Sequence, residues 1–168
     1  SNTNEELYLL QKFTRVVMGT NNIDYATNTQ PEKLSGLQDT LGYPAGTNPI
    51  WDLEKSECIL VVNSNTTEEH NVVAVPIKQA VKRGSHLIVI DPREVELTRY
   101  AELWLRPRPG SELTLLGGMM RAIVDEVAEN TDYLREHVEN VDLLKRSLAR
   151  YFDLEKTAEI TGVSKELI

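Results

Sequence analysis

The sequence predicts an α/β fold, a three-layer parallel sheet with a helical C-terminal portion. Three observations carry this. Two short stretches, Cys58 to Val62 and His86 to Ile90, are mostly β-branched or apolar and unbroken; runs of this kind suit strands covered on both faces of a parallel sheet. Between them lie a polar loop from Asn63 to His70, a helical segment from about Glu69 to Arg83, and Gly84. Strand, loop, helix, glycine and strand make one βαβ unit with parallel strands and a right-handed crossover. Beyond Gly110 the chain reads as successive helices, most of them led by acids.

Composition bounds the function. The 168 residues suffice for a single domain spanning the chain with its own core. A net charge of −8 makes nucleic acid a poor partner. The one cysteine, Cys58, excludes an internal disulfide and a cysteine-based metal cluster; inside an apolar strand it is expected as a small buried core residue. No apolar run approaches the roughly 20 residues of a membrane span, and no secretory signal is visible. The compartment stays open, with the cytoplasm favoured.

The elements follow in order. Thr3-Asn4-Glu5-Glu6 is a capped helix start with acids in its first turn. Apolar residues from Leu7 to Val17 recur at near-helical spacing, and Gly19 ends the helix. The Asn-rich stretch to Pro31 is a loop, or an edge strand around Ile23. A short helix is expected from Leu34 to Leu41 before Gly42. Asn48-Pro49 reads as an N-cap with proline at the first helical position. Pro76 predicts a kink or a late start in the helix after the first strand. A short helix from Glu94 to Glu102 and a strand over Leu103 to Leu105 come next. Arg106-Pro-Arg-Pro-Gly110 is neither helix nor central strand, because two prolines remove donors. A long helix from Glu112 to Asn130 places Leu113, Leu116, Met120, Ile123, Val124 and Val127 at apolar positions, and Gly117-Gly118 within it predicts close packing on a neighbour. Helices over Thr131 to Glu139, Val141 to Phe152 and Asp153 to Ile160 follow, the last stopped by Gly162. A capped start at Ser164 has about one turn left, too little to stand alone, so the chain reads as cut there.

In a parallel sheet the loops after the strands share one edge, where ligands bind. The first loop, Asn63 to His70, offers amides, hydroxyls and carboxylates. The second, Asp91 to Arg93, offers a carboxylate and a guanidinium. The third, Arg106 to Glu112, offers two guanidiniums, a glycine and a helix N-terminus. Arginines and helix N-termini suit phosphate. Asp91 suits the two hydroxyls of a ribose; its competing role is to cap a helix whose first residue is Pro92. Glu112 or Glu68 suits the adjacent N–H donors of a guanine-like edge. The sum is a nucleotide site, without the glycine signatures of a nicotinamide or P-loop site. His70, at a helix start, either meets the ligand or packs there; His86 enters a strand, and His137 is solvated.

Several segments carry a resemblance. These are Glu5-Glu-Leu-Tyr-Leu-Leu-Gln-Lys-Phe13, Gly19-Thr-Asn-Asn-Ile-Asp24, the run from Trp51 to Asn65, Ile88-Val-Ile-Asp-Pro-Arg93, Arg108-Pro-Gly-Ser-Glu112 and Thr161-Gly-Val163. In order and spacing they resemble the nucleotide-binding domain of molybdopterin oxidoreductases, most closely formate dehydrogenase-like catalytic subunits. The resemblance covers nearly the whole chain. It implies a Rossmann-like domain of the formate dehydrogenase/DMSO reductase type, holding one guanosine diphosphate arm of a bis-molybdopterin guanine dinucleotide with molybdenum or tungsten. By position, Asn65, Glu68 and Glu69 would line the first loop, and Asp91 would bind ribose with Ile90 and Arg93 beside it. Gly110 and Glu112 would lie at the guanine, Glu112 standing where the family usually has Asp or Asn.

The departure lies after Asp24. The family has Cys-Ala-Arg-x-Cys-His or a close variant, whose second Cys (or selenocysteine) binds the metal. Here the text is Tyr25-Ala-Thr-Asn-Thr29-Gln30, and a threonine hydroxyl is a weak ligand for this metal. An iron–sulfur segment, a C-terminal cap domain and the remaining domains of the same polypeptide would lie outside the chain, with electron-transfer subunits as possible partners. The fragment alone is expected to catalyse nothing. The competing readings are a non-catalytic nucleotide-binding or regulatory module, and a structural domain of a thiamine-diphosphate-type enzyme; the latter explains Asp91-Pro-Arg93 and Arg108-Pro-Gly-Ser-Glu112 less well.

Overall fold

A computed structural model of the chain describes residues 3–23, 32–43 and 46–168. The chain divides into two compact units, residues 1–48 and 49–168.

In the first unit Thr3 caps α1 (Asn4–Val16) as expected. Its hydroxyl accepts from the Glu6 N–H, and the Glu6 carboxylate accepts from the Thr3 N–H, a complete capping box. α2 (Glu32–Leu41) matches the expected short helix. Ile23 is in irregular chain, not a strand. Asp24, Thr29 and Gln30 lie outside the described residues.

The second unit is built on three parallel strands in the order β1 (Cys58–Val62), β2 (His86–Ile90) and β3 (Leu103–Leu105). Cys58 pairs with His86 and Val62 with Ile90, while Ile90 pairs with Leu105. Alternation along the strands divides the core. Ile59, Val61, Leu87 and Val89 pack with Ile77 and Ala80, and with Val95 and Leu97. Ile90 and Leu105 pack with Leu115 and Val163. The result is an α/β fold with a small parallel sheet and many helices.

The crossover differs from expectation in its first half. Thr66–Glu69 forms a one-turn helix, α3, inside the stretch read as loop. His70, at φ −143°, breaks it from α4 (Asn71–Lys82), so the main helix starts two residues late and carries Pro76 in its interior. Pro49 is the cap residue, and the 3-10 turn Ile50–Lys55 begins after it. Another 3-10 turn, Glu96–Arg99, replaces the short helix expected over 94–102.

Cys58 is exposed, against the expectation of burial. The burial of β1 alternates along the strand, and Leu60 is exposed on the same face as Cys58. An apolar run reports strand propensity, not whether every residue of one face is covered.

α5 (Glu112–Asp125) ends five residues early, and Val127 takes a left-handed φ of 54°. Its buried positions are Leu115, Gly117 and Gly118. Leu113, Met120, Ile123 and Val127, expected to pack, are exposed. The Gly pair does pack closely: a Cβ on Gly118 would lie 2.6 Å from Thr157, and one on Gly117 would overlap the Phe152 ring. Thr157 belongs to α8 (Leu154–Thr161) and Phe152 follows α7 (Val141–Tyr151). α6 (Thr131–His137) and the 3-10 turn Lys165–Leu167 complete the described elements.

Candidate functional site

The three loops after β1, β2 and β3 meet at the carboxyl edge of the sheet. Asn63 turns the chain out of β1 in the left-handed region at φ 52°, which asparagine tolerates better than most residues. Its N–H donates to the Ile90 carbonyl at 2.8 Å. Its side-chain amide donates to the Glu112 carboxylate at 3.4 Å, joining the first loop to the start of α5. Sequence reasoning placed Asn63 in the loop but not among the site residues; an Asn directly after a buried strand was the available signal.

Asn65 is half-buried, and its carbonyl accepts from the Glu68 and Glu69 N–H groups. Its side-chain oxygen accepts from the Thr67 hydroxyl at 3.3 Å. Glu68 and Glu69 are exposed. Ile90 is fully buried in the core, and its carbonyl is engaged by Asn63, so its side chain does not reach the loops.

Asp91 is fully buried. One carboxylate oxygen accepts from the Arg93 backbone N–H at 2.8 Å and from its Nε at 3.3 Å, while the other accepts from a terminal guanidinium nitrogen at 3.5 Å. The backbone bond, from acid to the residue two on, is an Asx turn across Pro92. No helix begins at Pro92, so the capping role is not the one Asp91 plays. The Asp91 hydrogen bond and charge, with smaller contributions from Glu69 and Glu68, raise the proton affinity of the Arg93 guanidinium above its usual value. Arg93 therefore connects the first and second loops electrostatically.

In the third loop the Arg108 carbonyl accepts from the Ser111 N–H at 3.0 Å, with Pro109 and Gly110 between. Gly110 has φ +86°, and nothing lies within 4 Å of where its Cβ would stand. Proline then a positive-φ glycine is a type II turn, and it leaves open space beside the start of α5. Neither guanidinium of this loop is free as expected. Arg108 donates to the Glu159 and Ile160 carbonyls near the end of α8, a favoured place for a cation. Arg106 donates to the Pro92 carbonyl at 3.0 Å and lies over the Trp104 ring.

His70 is exposed and separates α3 from α4. His86 is exposed beside Glu102, and His137 is exposed beside Tyr133. Among the described residues no group of three or more His, Cys, Asp and Glu is arranged to hold a metal ion. No described helix is long and apolar enough to cross a membrane.

Residues 1–165 match the family model described as molybdopterin oxidoreductase. The chain belongs to the molybdopterin oxidoreductase family. The F420-dependent formate dehydrogenase subunit alpha of Methanocaldococcus jannaschii is 36% identical over 167 residues, covering 99% of this chain and 25% of that protein. A probable oxidoreductase of Bacillus subtilis is 37% identical over 168 residues, covering 99% of this chain and 17% of that protein. Among solved structures, acetylene hydratase from Pelobacter acetylenicus matches with a TM-score of 0.60 and 32% identity, over 66% of this chain and 15% of that one. The chain thus spans a quarter or less of the length of these molybdopterin-family relatives, and its formate dehydrogenase-like character extends over almost its whole sequence. Membership of this family implies a molybdopterin cofactor carrying molybdenum or tungsten.

Proposed function

We propose that this chain is the part of a molybdopterin oxidoreductase that holds the guanosine diphosphate arm of a bis-molybdopterin guanine dinucleotide, within one three-layer, Rossmann-like domain over residues 1–168. The observation that carries the reading is the convergence of three loops from distant sequence: Asn63 bonds Glu112, and Arg93 bonds Asp91 within the fields of Glu68 and Glu69. Its donor set fits a nucleoside better than a metal. Asp91 accepts ribose hydroxyls, and Glu112 or Glu68 accepts the paired N–H groups of guanine. Gly110, with open space where its Cβ would stand, lets the ligand approach the backbone, and Asn65 and Glu69 would line the first loop. The first N–H groups of α5 are of the kind that suits a phosphate. When bound, the cofactor metal supplies the redox chemistry; these residues bind and orient its nucleotide end. We place the iron–sulfur segment, cap domain and electron-transfer partners outside this chain, and expect the chain alone to be inactive.

Thermal melting with added GDP tests the reading. A saturable rise in Tm, smaller with ADP and absent in Asp91→Ala, is the expected result. No rise at millimolar GDP would remove the autonomous site. One observation favours a second reading, a nucleotide-binding module without metal chemistry: Thr29 and Gln30 stand at the positions the resemblance gives to the metal ligand and its neighbouring histidine. Tightly held molybdenum or tungsten in the longer protein would exclude it.

A further inference from the structure

We propose that Arg93 is a built-in plug for the sugar subsite, not a ligand-contacting residue of it. The inference rests on the nucleotide reading above and concerns how the site opens. Among the described residues, every hydrogen bond to the Asp91 carboxylate comes from Arg93, and the Asp91 side chain has no exposed surface. A ribose therefore meets no free acceptor until something leaves.

The bonds divide into a permanent part and a replaceable part. The Arg93 backbone N–H lies 2.8 Å from the carboxylate and is fixed by the turn. The guanidinium bonds, at 3.3 and 3.5 Å, are long for charge-assisted contacts, which ordinarily fall near 2.7–2.9 Å. The guanidinium belongs to a side chain 62% exposed, free to swing on its flexible stem.

Glu69 and Glu68 add smaller favourable charge interactions to the guanidinium. Two ribose hydroxyls replace two guanidinium N–H donors, and the Asx turn stays intact. The plug lowers the apparent affinity of the sugar subsite by the fraction of time it is closed. It also supplies Asp91 with a counter-charge while no ligand is present, which limits the cost of a buried carboxylate.

The test uses the 168-residue chain with guanosine, GDP and 2′,3′-dideoxyguanosine as probes, measured by calorimetry and by melting shift. Guanosine carries no phosphate, so a phosphate contact by Arg93 does not enter that comparison. Arg93→Ala is the direct variant. Arg93→Gln keeps the unbranched stem as far as the position of Nε, without the charge or the terminal nitrogens, and carries the comparison where Arg93→Ala loses its folded baseline. The expected result is guanosine binding about tenfold tighter than in the unmodified chain, the gain vanishing with dideoxyguanosine, which lacks the hydroxyls Asp91 would receive. A merely structural role does not move the ratio of the guanosine and dideoxyguanosine affinities. Unchanged or weaker guanosine binding in a folded variant, with the unmodified chain binding normally, overturns the plug and leaves the nucleotide reading standing. Absence of binding by every protein to every probe overturns both.

Discussion

A left-handed glycine and an exposed histidine illustrate what single residues hold in place. Gly110 has φ +86° with open space around its missing Cβ, so a substitution there tests backbone strain without steric clash. Gly110→Ala is expected to destabilise the chain by about 1 kcal/mol, read as a lower urea midpoint at unchanged slope. His86 is held by the Glu102 carboxylate, whose hydrogen bond and then charge raise its pKa above the ordinary 6.5. A raised folded-state pKa means the pair stabilises below the unfolded pKa, and the contribution is lost as pH rises through the folded value. Glu102→Gln is therefore expected to lower Tm at mildly acid pH and to converge with the unmodified chain at alkaline pH. The two melting curves lying parallel across the range would contradict this. Some residue roles were legible in sequence. The strand-end acid at Asp91 was legible, but its turn was not: the sequence offered a ribose acceptor or a helix cap, and the structure shows the acid accepting from the residue two on. The pairing of Arg108 with carbonyls of α8 was not legible, because its partners lie about 50 residues away and no local pattern names them.

Elements were readable where local composition decides them and unreadable where packing does. β1 and β2 have the bounds that the apolar runs suggest, since β-branched residues fix extended chain locally. The buried face of α5 was not readable, because both its faces are apolar and periodicity favours the wider stripe. The Gly pair settled it: with no side chains there, α5 approaches α8 and the segment after α7 on the narrower face. This makes the two glycines unequal. Alanine is the better helix former by about 1 kcal/mol at either position. At Gly117 the obstacle is the Phe152 ring, half-buried and able to turn aside. At Gly118 it is Thr157, 1% exposed and stiff at χ1. Gly118→Ala is expected to cost about 1–3 kcal/mol by overpacking, and Gly117→Ala less, in paired denaturation midpoints. Equal costs would mean that α8 shifts as easily as the ring turns.

At the scale of the whole molecule, apolar surface exceeds what the described elements cover. α1 exposes Leu9 and Val16, α5 exposes Leu113 and Ile123, and α7 exposes Leu143. Contiguous apolar surface of more than a few hundred Å² is uncommon on monomers and marks contact surface. Relatives four or more times longer offer further chain to meet it, and the 168-residue chain alone does not. Two terms then oppose each other: apolar patches favour self-association, and the net charge of −8 resists it. Salt screens the second and leaves the first, since the Debye length falls from about 30 Å at 0.01 M to about 10 Å at 0.1 M. Sedimentation of the chain is therefore expected to show association that grows with added salt. The double change Leu113→Glu and Ile123→Lys should reduce it while moving stability by no more than about 0.5 kcal/mol, because exposed side chains away from packed features contribute little to the fold. Association that is salt-independent and unaltered by the double change would place the contact surface elsewhere than α5.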